Sequence, residues 1–264
     1  MALSYDRHCA EIVNQTELLR STVRGADLST PVPSCPDWNL GQLLRHLGGV
    51  HRWAEATVRA RATEPVPEAD FDVREFSAYS DADAAELGAW LASGASALAA
   101  ALRGAGPAAP MWTPVADGGT SFYARRFTYE TAIHRADATL ALGERYALDQ
   151  DVALDAIDEW LELGCLPMHF EVHPWLRELL GPGRTLHLHA TDTPPVARAE
   201  WVVDLTGDVI AWRRAHEKSA VAVRAPLTDL LLLIYKRRQA RGENVDVFGN
   251  EELLDFWLDR VSFG

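Results

Sequence analysis

Residues 127–138 read FTYETAIHRADA, and the spacing of their polar groups decides how the first half of the chain folds. Glu130, His134 and Asp137 stand at i, i+4 and i+7. At 3.6 residues per turn, Glu130 and His134 lie within about 40° of each other on a helix, so a carboxylate and an imidazole project from one stripe. Upstream, residues 38–53, WNLGQLLRHLGGVHRW, carry a second helical pattern that includes His46. If the two helices face one another in a bundle, His46 completes a three-ligand set, which leaves one position of a tetrahedral metal open for chemistry. Taken alone, a Glu-x-x-x-His spacing is more often that of an ordinary surface pair on a helix.

The rest of the chain sets bounds on that reading. Of its 264 residues 48% are hydrophobic, enough for two domains with cores of their own. A formal net charge of -13 argues against non-specific attraction to nucleic acid or to an anionic membrane, and small molecules are the expected partners. Cys9, Cys35 and Cys165 are odd in number and widely spaced, which fits neither a disulfide framework nor a paired-cysteine zinc site; a reducing cytoplasm is expected. The N-terminus, MALSYDRHCAEIV, lacks a long apolar core behind a basic region, and no membrane span is expected.

Helical grammar fills the first half. Tyr5–Arg24 repeats apolar residues at helical spacing and stops at Gly25. The three prolines of residues 29–38, STPVPSCPDW, forbid a regular helix and hold an extended connection, and Asn39 then offers an N-cap for a helix running to about Arg61. A Pro- and acid-rich loop, TEPVPEADFD, precedes a third helix expected to begin at Ser80, with acidic residues in its first turn. The fourth is expected over about Ser121–Leu142 and a fifth from about Asp149. After Pro167 the pattern changes. RTLHLHATD, RAEWVVDLTG, DVIAWRRAH and SAVAVRAP alternate as strands, LTDLLLLIYKRR reads as a helix with a basic last turn, and residues 245–261 add a strand and a closing helix. The expected fold is α+β in two domains, a helical bundle over residues 1–165 and a small α/β sheet domain over residues 166–264.

Two stretches, PSCPDWNLGQLLRHLGGVHRW and RRFTYETAIHRADA, resemble the mycothiol-dependent maleylpyruvate isomerase family. Its N-terminal domain is a DinB-like four-helix bundle. HLHATD, AEWVVDL, VRAPLTDLLLLIYKRR and VDVFGNEELLDFWL resemble the small sterol-carrier-protein-like domain that follows the bundle in that family, so the likeness covers nearly the whole chain. The resemblance implies zinc, or another divalent metal, held by His46, Glu130 and His134. His51 is the alternative to His46, but five residues separate the two, about 140° on a helix, and His46 matches the family's His-Leu position. Many DinB-like proteins carry His where Glu130 stands; Glu favours the mycothiol branch.

The chemistry implied is that of a zinc-bound thiolate, with mycothiol as cosubstrate acting on a small electrophile. One outcome is cis-trans isomerisation of a maleylpyruvate-like substrate; another is mycothiol S-transfer. A non-catalytic binding or resistance protein on the same scaffold, and a metal-assisted hydrolase, are the alternatives. Asp137 is placed to orient His134, and Arg126, one turn before Glu130, to orient that carboxylate or bind a substrate carboxylate. From the second domain Arg224, Arg237 and Arg238 are candidates to contact an anionic substrate. Asp137 beside Arg135 also reads as solvated surface charge. His187 and His189 share one strand face, a spacing open to a metal, but read first as exposed strand histidines. Cys35 could be a nucleophile but has no base in the sequence and reads as a structural thiol, and Trp38, Trp53 and Trp90 read as packing residues. The run KRRQAR reads as a solvated helix end.

Overall fold

The structure, a computed structural model, describes residues 2–71, 73 and 83–261, which fall into two compact units, Ala2–Tyr146 and Ala147–Gly264. Four long helices build the first: α1 (Tyr5–Thr22), α2 (Leu40–Ala60), α3 (Ala84–Ala105) and α4 (Gly119–Ala141). Helix α2 begins with a capping box in which Asn39 accepts from the Gln42 backbone while the Gln42 side chain accepts from the Asn39 N–H, so two otherwise orphaned donors are satisfied. Helix α3 is capped by Asp83; the N-cap expected at Ser80 lies outside the described residues.

The bundle pairs α2 with α3 and α1 with α4, and α1 and α2 also touch α3 and α4 respectively. Ile12 and Leu19, Leu43, Leu44 and Leu47, Leu91 and Leu98, and Phe127 supply its core from all four helices. Each fully buried leucine stabilises the fold by roughly 1.5–3 kcal/mol of apolar transfer. By length and composition alone α3 is apolar enough to cross a membrane, which the reading of the sequence did not anticipate; its Leu87, Leu91, Leu98 and Leu102 are buried in the bundle. Close approach of α2 to α3 depends on Gly48, where a Cβ would fall 2.0 Å from the Trp90 ring.

The second unit is a five-stranded sheet with helices. Strands β1 (Thr185–Ala190), β2 (Glu200–Asp204), β3 (Ala211–Arg214), β4 (Val221–Ala225) and β5 (Asp246–Gly249) lie in the order β3-β2-β1-β4-β5, and only the central β1–β4 pair is parallel. Leu186 and Leu188 are buried on one side of β1, and period-2 alternation sends His187 and His189 to the other. Helices α5 (Gln150–Gly164), α6 (Met168–Val172), α7 (Leu227–Ile234) and α8 (Glu251–Arg260) complete the unit, and Trp160 of α5 meets Trp257 of α8 edge to face.

Two expectations differ from this arrangement. A boundary at 165 places the fifth helix with the bundle, whereas α5 falls in the unit of the sheet, where Asp158 accepts from Trp201 Nε1 at 2.7 Å and pairs with Arg214 at 2.7 Å. The basic last turn expected for α7 lies beyond it: the helix stops at Ile234, Lys236 turns left-handed at φ 60°, and Arg238 folds back onto Asp229 at 3.1 Å.

Candidate metal centre

His46 on α2 and Glu130 and His134 on α4 converge inside the bundle. Glu130 Oε1 lies 3.4 Å from His46 Nε2 and 3.2 Å from His134 Nε2, and the two imidazoles stand edge to face with centroids 5.0 Å apart. The far nitrogen of each ring is anchored: His46 Nδ1 donates to the Val73 carbonyl at 2.8 Å and His134 Nδ1 donates to Asp137 Oδ2 at 2.9 Å. Those anchors leave both Nε2 lone pairs aimed at a carboxylate, so three acceptors face each other across little more than 3 Å. Such a group is stable only with a cation among its members, a proton on an imidazole or a metal ion. The donor set therefore fits a divalent metal with nitrogen and oxygen ligands.

The electrostatics follow from the same contacts. Burial alone would raise the Glu130 carboxyl, but its contacts with the His134 and His46 imidazoles, with a cation shared among them, outweigh it and hold it well below the ordinary range. Burial would depress His134, yet its bonds to Asp137, Cys35 and Glu130 carry it well above the ordinary histidine value. Arg126 Nη2 approaches the other Glu130 oxygen at 3.5 Å.

Asp137 is wholly buried, which removes the surface-charge reading, and its Oδ1 accepts from Ser34 Oγ at 2.6 Å. Cys35 Sγ lies 3.5 Å from Asp137 Oδ2, and the Trp38 indole packs on His46 with centroids 4.9 Å apart. These three residues come from the proline-rich loop, closed on itself by Val32 N–H to Trp38 C=O at 2.9 Å and by a left-handed Asp37 at φ 71°, a conformation Asp tolerates. From the sequence Cys35 reads as a structural thiol and Trp38 as a packing residue, and nothing there points to Ser34; all three stand at the site. The three prolines predict an extended connection between α1 and α2; the loop instead closes on itself, because successive turns at Cys35 and Trp38 and the left-handed Asp37 reverse the chain.

His51 takes no part in the donor set. Its Nε2 donates at 2.8 Å to Thr131 Oγ1, whose own proton goes to the Phe127 carbonyl, and burial depresses the imidazole to about 3. Beside Glu130 opens a cavity of about 110 Å³, lined by Val50, Trp53, Val73 and Phe127 with Glu68, Arg126 and Glu130 as its polar groups. Arg224 and Arg237 belong to the second unit; Arg224 is exposed on β4, and Arg237 Nη1 donates to the Tyr235 carbonyl at 2.7 Å.

Fold and site together define a two-domain α+β protein whose helical bundle carries a His-Glu-His donor set of metal-binding type. The family profile described as the mycothiol maleylpyruvate isomerase N-terminal domain matches residues 9–139, and that of the MDMPI C-terminal domain matches residues 151–256. The chain belongs to the mycothiol-dependent maleylpyruvate isomerase family. Two crystal structures of a mycothiol-dependent maleylpyruvate isomerase, one of them a point variant, share its fold with TM-scores of 0.59 and 0.61, in each case at 14% identity over 93% of both chains. A search of curated protein sequences finds no match.

Proposed function

We propose that this protein is a zinc-dependent enzyme that uses mycothiol as a thiol cosubstrate on a small electrophile, as a maleylpyruvate cis-trans isomerase or a mycothiol S-transferase. One observation carries the reading: His46, Glu130 and His134 aim three anchored donor atoms at one point beside a small, largely apolar cavity. Zinc bound there would act as a Lewis acid that keeps an incoming thiol ionised at neutral pH.

The protein's own groups divide the remaining tasks. Glu130 supplies the one negative charge of the donor set, and Asp137 fixes the His134 tautomer so that Nε2 stays available. Val50, Trp53 and Phe127 give the cavity an apolar wall, and the Arg126 fork offers a substrate carboxylate a planar partner at its edge. In isomerisation, the thiolate sulfur adds to the conjugated double bond, the resulting single bond rotates, and elimination restores the double bond and releases the thiol unchanged. Arg224 and Arg237 are the proposed contributions of the second unit to anion binding. No disulfide links Cys9, Cys35 and Cys165, which fits work in a reducing cytoplasm.

The test is turnover of maleylpyruvate by zinc-loaded protein with mycothiol well below substrate concentration. Isomerase activity predicts product in many-fold excess over thiol, with the thiol recovered intact. Stoichiometric loss of thiol into an adduct would assign the transferase. No product of either kind, with metal and thiol bound, would refute an enzymatic role on this substrate class.

A further inference from the structure

The sheet of the second unit brings together a separate group of ligating side chains. His187 Nε2 and His189 Nδ1 each lie 2.9 Å from Glu200 Oε2, and His216 Nδ1 lies 2.5 Å from the same oxygen. The four ligand atoms all fall within 4.8 Å of one another. The three rings stand edge to face, with centroids 5.6–6.2 Å apart.

This convergence is built by strand register. His187 and His189 share one face of β1 at i and i+2, the face opposite Leu186 and Leu188. Glu200 is the direct cross-strand partner of His189 on β2, and the Ala215 N–H bonds to the Glu200 carbonyl at 3.2 Å, carrying the chain past β3 so that His216 arrives beside the same carboxylate. Three of the four donors therefore sit on paired strands, a stiffer platform than loops provide. His187 is buried, whereas the His216 side chain is 78% exposed and gives an ion access from solvent. Sequence alternation puts His187 and His189 on one face and favours exposed histidines over a metal pair, whereas His187 is buried. Alternation could not place Glu200 or His216, since neither is near His187 in the chain.

The geometry points to a second metal site: His187, His189, His216 and Glu200 bind a divalent transition ion of the zinc class. A single carboxylate oxygen cannot accept three well-formed hydrogen bonds at once, whereas three imidazole nitrogens and a carboxylate are a complete tetrahedral set for such an ion. Four protein ligands leave no open position, so the ion is structural. It ties β1, β2 and the segment after β3 into one cross-link and is independent of the three-ligand set in the bundle.

Zinc titration of the metal-free full-length chain, followed by calorimetry, tests the assignment, with Co²⁺ absorption reporting coordination. The unaltered chain is expected to take up two equivalents. His46→Ala with His134→Ala, which dismantles the bundle site, leaves one. In that background His216→Ala, an exposed position with little bearing on folding, weakens the remaining site at least tenfold, and Glu200→Gln with His189→Ala abolishes it. Zinc also raises the thermal midpoint of the background variant. Absence of zinc binding in the background variant would overturn the proposal, as would affinity unchanged by the further substitutions.

Discussion

Asp137 accepts the Nδ1 proton of His134 at 2.9 Å, on the opposite side of the imidazole from Glu130, and is itself held by Ser34 at 2.6 Å. A carboxylate in this position fixes the ring's tautomer and orientation and makes its other nitrogen a better ligand. Asp137→Asn is therefore expected to lower zinc affinity at the bundle site by about 10–100-fold while the helices remain folded. Competition with a chromophoric chelator measures it, and unchanged affinity would remove Asp137 from the site.

In metal-free protein the bonds to Asp137, Cys35 and Glu130 outweigh the effect of burial and hold the His134 imidazole well above the ordinary histidine value, which favours its protonated form. Zinc binding at Nε2 competes with that protonated form. Affinity at the bundle site is expected to fall as pH is lowered, and calorimetry in buffers of differing ionisation enthalpy will register proton release on binding. Heats that do not depend on the buffer would contradict a protonated His134.

Helix α4 shows how much of the site was legible in the sequence. Glu130 and His134 are four apart, and helical geometry alone puts them on one stripe; family resemblance then selected His46 over His51. The irregular parts were not legible. Periodicity has no purchase on the PSCPDW loop, so its delivery of Ser34, Cys35 and Trp38 to the site needed coordinates. The allegiance of α5 was hidden for a similar reason. Its amphipathic pattern is the same whichever unit it covers, and the Asp158 bonds to Trp201 and Arg214 that decide the matter span more than forty residues.

Gly48 sets the distance between α2, which carries His46, and α3. The Trp90 ring that fills the space of its missing side chain is pinned by Arg52, stacked 3.9 Å from the ring centroid and bonded at 2.8 Å to the Trp90 carbonyl. Gly48→Ala is expected to destabilise the protein by about 1–3 kcal/mol through overpacking. Urea denaturation measures the loss; a stability equal to that of the parent would mean that Trp90 moves without cost.

His51 is buried and neutral, depressed from 6.5 to about 3, mainly by desolvation. The unfolded chain takes up this proton below about pH 6.5 and the folded one does not, so the contribution is intact above 6.5 and is lost as pH falls toward 3. His51→Gln, which retains a donor for Thr131, is expected to flatten stability against pH in that window by about 1.4 kcal/mol per unit. Parallel curves for parent and variant would mean that His51 is protonated in the fold.

The most direct test of the bundle site is anomalous diffraction at the zinc edge from crystals of zinc-loaded protein soaked with mycothiol. The account predicts a peak bounded by His46 Nε2, Glu130 and His134 Nε2, with a sulfur atom about 2.3 Å from the ion. An empty bundle site, or an ion there whose remaining position is closed by a protein group while mycothiol binds elsewhere, would contradict it.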